Sequence, residues 1–147
     1  IMVPTLMGIH ESATRGKELG SPEWDIRKSN EIDSVQFDTV KKAHSLGVRI
    51  AMGTDWSLHE SEKNSLEFVY FVERCGFTPM EAIVSGTKIG AEAMGRNDIG
   101  TLEPGKFADL IVVDGNPLQD IRVLLDLSKM LMVMKGGKVE VNRGVKL

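Results

Sequence analysis

Short apolar runs alternate with longer polar stretches along this chain, and the spacing of the apolar positions names its elements. Residues 1–6 are mostly apolar and predict a short strand. Residues 7–30 hold no sustained period. Gly8, Gly16, Gly20, Ser21 and Pro22 punctuate a polar stretch there, which predicts a long irregular connection. Connections of that length in compact domains are usually functional or mobile. Over residues 31–46 apolar side chains recur at Ile32, Val35, Val40, Ala43 and Leu46, a helical period that Gly47 closes in the C′ position. Residues 48–52 then read as a second strand. The strand-helix-strand order predicts a parallel pair with a right-handed crossover.

A loop over residues 55–63 leads to a helix predicted over 64–74, where Leu66, Val69, Tyr70 and Phe71 ask for a large apolar surface. Gly76 ends it. Thr78-Pro79-Met80-Glu81 opens the next helix: Thr78 is the N-cap, Pro79 takes N1, and Glu81 at N3 closes a capping box. Gly86-Thr87 interrupts, and a further helix runs to Met94 before Gly95. Beyond that glycine the character changes. Gly100, Pro104 and Gly105 mark turns, residues 108–113 form a strand of the buried type, and Asp114-Gly115-Asn116-Pro117 is a strong turn. A short helix is predicted over 118–125. Residues 131–134 and 139–141 form a hairpin around Gly136-Gly137. The pattern divides the chain into an α/β part, residues 1–96, and a β-rich part, residues 97–147.

Composition narrows the function. Apolar residues make up 41% and charged residues 27% of the 147, a globular composition with enough chain for one core. With 18 basic and 21 acidic side chains the net charge is −3, so there is no electrostatic case for nucleic acid or an anionic membrane. The apolar runs fall far short of the roughly 20 residues a membrane span needs. Cys75 is the one cysteine, which rules out an intrachain disulfide and a cysteine-based zinc site; within an apolar helical run it reads as packing. No secretory signal is legible, so the expected location is cytoplasmic unless residues upstream carry a leader. Met2 to Leu6 already reads like the inside of a domain. The expectation is a piece of a longer chain or of an oligomer.

Three constellations invite a chemical reading. Gly100 to Lys106 has the spacing of half a phosphate-binding loop, but Phe107 stands where Ser or Thr should hold magnesium, and a strand follows instead of a helix. It reads as a turn. Among the histidines, His44 belongs to a helix C-terminus and reads as structural. His10 lies in the long connection after the first strand and His59 in the loop after the second; each is open to a surface or a functional reading. Asp55 follows Gly53-Thr54 at the end of the second strand. In parallel α/β folds, catalytic groups collect at the C-terminal ends of strands. If the pair is parallel, His10, Asp55 and His59 share one rim. The competing reading of Asp55 is an Asx turn or a cap.

Taken in order, Gly53-Thr54-Asp55, Thr78-Pro79-Met80-Glu81-Ala82, the Gly100 to Lys106 turn, Ala108-Asp109 through Asp114-Gly115-Asn116-Pro117, and Val133 to Lys138 resemble the C-terminal part of the metal-dependent amidohydrolase superfamily, in its imidazolonepropionase-like and prolidase-like branch. The likeness runs through nearly the whole chain, and the order and spacing of the motifs carry it. It implies a fragment of a (β/α)8 TIM barrel followed by part of a small β-sandwich. Residues 3–6 would be the seventh barrel strand, residues 48–52 the eighth, and residues from about 97 the sandwich segment. It implies a hydrolase of amide-type C–N bonds in small peptides or cyclic amides, with one or two divalent ions, zinc by preference. Asp55 would be both metal ligand and the base that takes the proton of the activated water. His10, His59 and Asn64 are the candidate substrate contacts. Asn64 and Glu67 fall where relatives often have Asn and Glu.

The departures are equally informative. The His-x-His of the first strand and the ligands of the fourth to sixth strands would lie upstream of Ile1. Ser61 stands where many relatives carry a histidine after the Asp. The alternative function is a non-catalytic α/β plus β module serving assembly or small-ligand binding. A doubly wound dinucleotide-binding domain is weakened by the lack of a glycine-rich strand-turn-helix fingerprint. Two strands cannot close a barrel, and their bare edges invite pairing with another chain. The purified 147 residues alone are therefore expected to show no zinc-dependent peptide hydrolysis and to fold only by association. Turnover in a peptidase assay, or a cooperatively folding monomer by sedimentation, would contradict this.

Overall fold

The computed structural model describes residues 1–55 and 64–146. Its helices are α1 (Leu6–Arg15), α2 (Glu23–Ser45), α3 (Leu66–Glu73), α4 (Pro79–Gly86) and α5 (Lys88–Ala93). They precede an antiparallel sheet of β1 (Leu110–Val113), β2 (Met130–Lys135) and β3 (Lys138–Asn142), in that spatial order.

The two expected strands of the α/β part meet as one parallel bridge between Met2 and Ile50. The Met2 N–H donates to the Arg49 carbonyl and the Ala51 N–H to the Met2 carbonyl, each at 2.9 Å. The parallel sense is as expected, but the pairing is shorter. Pro4 has no N–H to extend the ladder, and Thr5 turns away in a left-handed conformation. Past the bridge, the Met52 N–H donates to the Ser85 carbonyl of α4.

The stretch 7–30 is not an irregular connection. It is α1, a short turn, and the start of α2, which begins at Glu23 rather than at residue 31. Polar residues carry the period here, because hydrogen bonds make much of the contact between α1 and the N-terminal half of α2. Ser12 Oγ donates to Asp25 Oδ2 at 2.6 Å, His10 Nδ1 lies 2.9 Å from Asp33 Oδ1, and Gln36 Nε2 donates to the Leu6 carbonyl at 3.4 Å. The same contact changes which face of α2 is buried. Ser29, Gln36, Phe37 and Val40 point inward, whereas Ile32, Val35 and Leu46 of the predicted stripe are exposed.

Helix α3 places buried side chains in both cores. Phe71 joins Leu6, Phe37, Val40, Ile50, Cys75, Phe77 and Ala82 in one cluster. Val69 joins Ile121, Val123 and Leu124 in a second. These last three belong to a 3₁₀ turn (Ile121–Leu125) where a short helix was expected; Asp120 caps it by accepting from the Arg122 N–H at 2.9 Å. Arg122 in turn forks onto the Glu73 carboxylate at 2.6 and 2.7 Å. Cys75 is fully buried, and burial pushes its thiol up to about 12, so it packs rather than reacts.

Several local expectations hold. The capping box at α4 is complete: the Glu81 N–H donates to Thr78 Oγ1 at 3.3 Å, and the Thr78 N–H donates to Glu81 Oε2 at 2.7 Å. His44 stacks on Phe77 with ring centroids 3.8 Å apart, with Nε2 3.6 Å from Glu81. Gly136 and Gly137 both take positive φ, 58° and 80°, as a two-residue hairpin turn requires. The Gly100 to Lys106 stretch is a turn, with Lys106 Nζ donating to Thr101 Oγ1 at 2.6 Å. No described helix is long and apolar enough to cross a membrane.

Thr78→Ala removes one side of the capping box and orphans the N–H of Glu81. Its expected cost is about 1 kcal/mol, seen as a lower denaturant midpoint with an unchanged slope.

Candidate active-site rim

The two parallel segments end beside one another, and each ends in a strained residue. Thr5 (φ 50°) and Asp55 (φ 45°) are the non-glycine residues with positive φ among those described. For a β-branched threonine this conformation is a true outlier; aspartate tolerates it better. Such positions cost on the order of 1–3 kcal/mol each and cluster at functional sites. Both residues line one cavity of about 470 Å³, together with Gly8, Ser12, Asp25 and Ser29. Asp55 is exposed on its edge.

Two glycines let the backbones close up around the rim. A Cβ at Gly53 would meet Val3 Cγ1 at 2.7 Å, so the two segment ends lie in contact. A Cβ at Gly8 would lie 3.2 Å from the Thr54 carbonyl oxygen and 3.7 Å from that of Asp55. The first turn of α1 is therefore seated directly on the backbone that carries Asp55.

A buried carboxylate fixes that first turn. Glu67 of α3 is 0% exposed. Its Oε1 accepts from the Leu6 N–H at 2.8 Å and its Oε2 from the Met7 N–H at 2.9 Å. These are leading amides of α1, which have no partner within the helix. Negative charge at a helix N-terminus is favourable, yet burial outweighs the two bonds and raises the Glu67 carboxyl to about 7. Gln36 Nε2 donates to the Leu6 carbonyl at 3.4 Å from the α2 side.

The other candidates are placed as follows. Asn64 joins Asp55 through its neighbour: Thr54 Oγ1 donates to Asn64 Oδ1 at 3.4 Å. His10 sits on α1 rather than in a loop. Its Nδ1 lies 2.9 Å from Asp33 Oδ1, and its ring meets Phe37 and Tyr70 edge-on at 5.5 and 5.3 Å. Burial, then the charges of Glu11 and Glu67, push the Tyr70 hydroxyl above its ordinary value. Ile9 and Ser12, from the same helix, line the cavity beside Asp55. His59 lies outside the described residues. Among the described residues no three His, Cys, Asp or Glu side chains come together as a metal site. Asp55 offers one hard oxygen donor, fit for a single position around a divalent cation and not for a whole site.

The pattern of apolar residues missed Thr5, Gly8 and the anchoring role of Glu67. Glu67 did leave a trace: it is a lone carboxylate inside the apolar run from Leu66 to Val72. Thr5 left none, because a left-handed threonine contradicts local propensity.

The family model described as the amidohydrolase family matches residues 2–139. Ochratoxinase of Aspergillus niger is 33% identical over 135 residues, 90% of this chain and 27% of that protein. Imidazolonepropionase of Geobacillus thermodenitrificans is 38% identical over 101 residues, 67% of this chain and 24% of that protein. A solved Xaa-Pro dipeptidase with methionine bound in its active site superposes with a TM-score of 0.83 at 36% identity, over 95% of this chain and 34% of that one. The chain thus spans about a quarter of the curated relatives it matches.

Because the folded-state value of Glu67 lies above its unfolded value of 4.5, the folded state holds the extra proton between them. Its stabilising effect is full below pH 4.5 and is lost as pH rises through about 7. The loss amounts to about 3 kcal/mol. Unfolding curves from pH 4 to 8 should show this fall in the native protein and not in Glu67→Gln.

Proposed function

The chain belongs to the amidohydrolase family, and from that premise we propose that it supplies the last two strands of a (β/α)8 barrel in a hydrolase of amide-type C–N bonds. On this reading residues 1–96 are the barrel part and residues 97–147 a segment of the adjoining β-sandwich. The substrates are small peptides or cyclic amides, the class suggested by relatives whose names speak of a dipeptide and of an imidazolone.

The observation that carries the reading is Asp55 itself. It stands at the C-terminal end of a parallel segment, in a left-handed conformation, beside a second strained residue from the neighbouring segment and on the edge of a cavity. Catalytic groups of barrels collect at that end of their strands. A divalent metal, zinc in the first instance, supplies when bound an acidified water and a polarised carbonyl. Asp55 would provide one of its ligands, the remainder coming from outside the described residues. The task of Asp55 is to take the proton of the attacking water and return it to the leaving nitrogen. Asn64, held to Thr54, is the adjacent contact for substrate, with His10 and His59 as further candidates.

The test is Asp55→Asn in the complete polypeptide, assayed with zinc on a panel of Xaa-Pro dipeptides such as alanyl-proline. Turnover is expected to fall about 10³-fold with the melting temperature nearly unchanged. Undiminished turnover would overturn the role of Asp55 and favour a non-catalytic module.

A further inference from the structure

We propose that Glu67 is a positioning residue for this hydrolysis: by holding the first turn of α1 it sets, through Gly8, the backbone from which Asp55 works. The inference rests on the proton-transfer reading of Asp55.

The geometry starts with Thr5. A residue that caps a helix through its own side chain adopts an extended backbone. Thr5 is left-handed and makes no side-chain capping bond. The turn that takes the chain off the rim and the ordinary way of capping α1 thus exclude each other. The missing acceptor arrives from 61 residues away, as the Glu67 carboxylate, with one oxygen for Leu6 and the other for Met7. Gly8 follows at once and rests on the Thr54 and Asp55 carbonyls. Any displacement of the Leu6–Met7 amides is passed to Asp55 with no flexible side chain between.

A second contact closes the loop. The turn that leads into α3 also reaches the rim through Asn64, whose carbonyl accepts from the Glu67 N–H at 3.3 Å and whose side chain accepts from Thr54 at 3.4 Å. One helix start therefore holds both sides of Asp55. Glu67, like the Leu6 and Met7 whose amides it holds, has no exposure to solvent.

The experiment uses the complete polypeptide with zinc and alanyl-proline. Glu67→Gln keeps the shape but offers one acceptor oxygen instead of two. It is expected to lower kcat by roughly 10- to 100-fold, the size of effect an ångström-scale misplacement produces, with KM and bound zinc unchanged. Gly8→Ala should lower kcat in the same direction by a smaller factor, because its Cβ would lie 3.2 Å from the Thr54 carbonyl, which must give by a few tenths of an ångström. In the double variant the loss should be smaller than the product of the two, since both act through one contact. Thr78→Ala is the control for plain destabilisation and should leave kcat intact.

The proposal is overturned if Glu67→Gln keeps native kcat, if it moves KM alone, if the two losses multiply, or if Thr78→Ala loses as much. Should Glu67→Gln not accumulate as folded protein, Gly8→Ala decides: a lower kcat at constant KM supports the coupling, and native kcat refutes it. Failure of the underlying reading looks different, because Asp55→Asn would then remain active.

Discussion

The contact between the Glu67 carboxylate and the leading amides of α1 is the constraint from which the rest of this structure can be read. It joins residues far apart in sequence, lies wholly out of solvent, and serves donors that would otherwise be orphaned. Leu6, which gives one of the amides, also packs in the core beside Phe71 of the helix that carries the acid. Polar and apolar contacts therefore converge on the same two turns. The arrangement puts an ionisable group where desolvation outweighs the two hydrogen bonds that oppose it, and its titration is displaced upward accordingly.

Around that anchor the helices divide the labour. α3 faces two cores, one shared with the parallel segments and one with the 3₁₀ turn before β2. The α/β part and the β-rich part are consequently packed together in large part through this eight-residue helix, with Ile83 of α4 beside it. Arg122 and Glu73 add an exposed bidentate pair at its far end, whose worth is small beside the burial of Val69 and Phe71. The aromatic group of His10, Phe37 and Tyr70 holds α1, α2 and α3 against each other, with the Arg74 guanidinium over the Phe37 ring at 3.3 Å.

What the sequence disclosed follows from where local rules govern. The capping box at Thr78, the two-glycine hairpin and the glycine stops after the helices are decided within a few residues, and all were legible. The parallel sense of the first pairing was legible from element order. The helices over residues 7–30 were not, because much of their contact is written in Ser12 with Asp25, His10 with Asp33 and Gln36 with the Leu6 carbonyl rather than in an apolar stripe. The rim was half legible. Asp55 could be placed at a strand end by pattern, and the role proposed for it came from family likeness alone. Thr5 escaped because tertiary contacts impose a backbone that its own side chain disfavours.

That imposed backbone at Thr5 has a bearing on how this molecule can change. Glycine or asparagine would accept the left-handed geometry with less strain, so the position is a reservoir from which on the order of 1 kcal/mol of stability is readily recovered. The same relaxation would let the exit from the segment sample other directions, since a threonine held in one unfavourable well is also a threonine with few alternatives. Stability and definition are thus set against each other at this one residue. Variation there would trade thermal tolerance against the sharpness with which the rim is drawn.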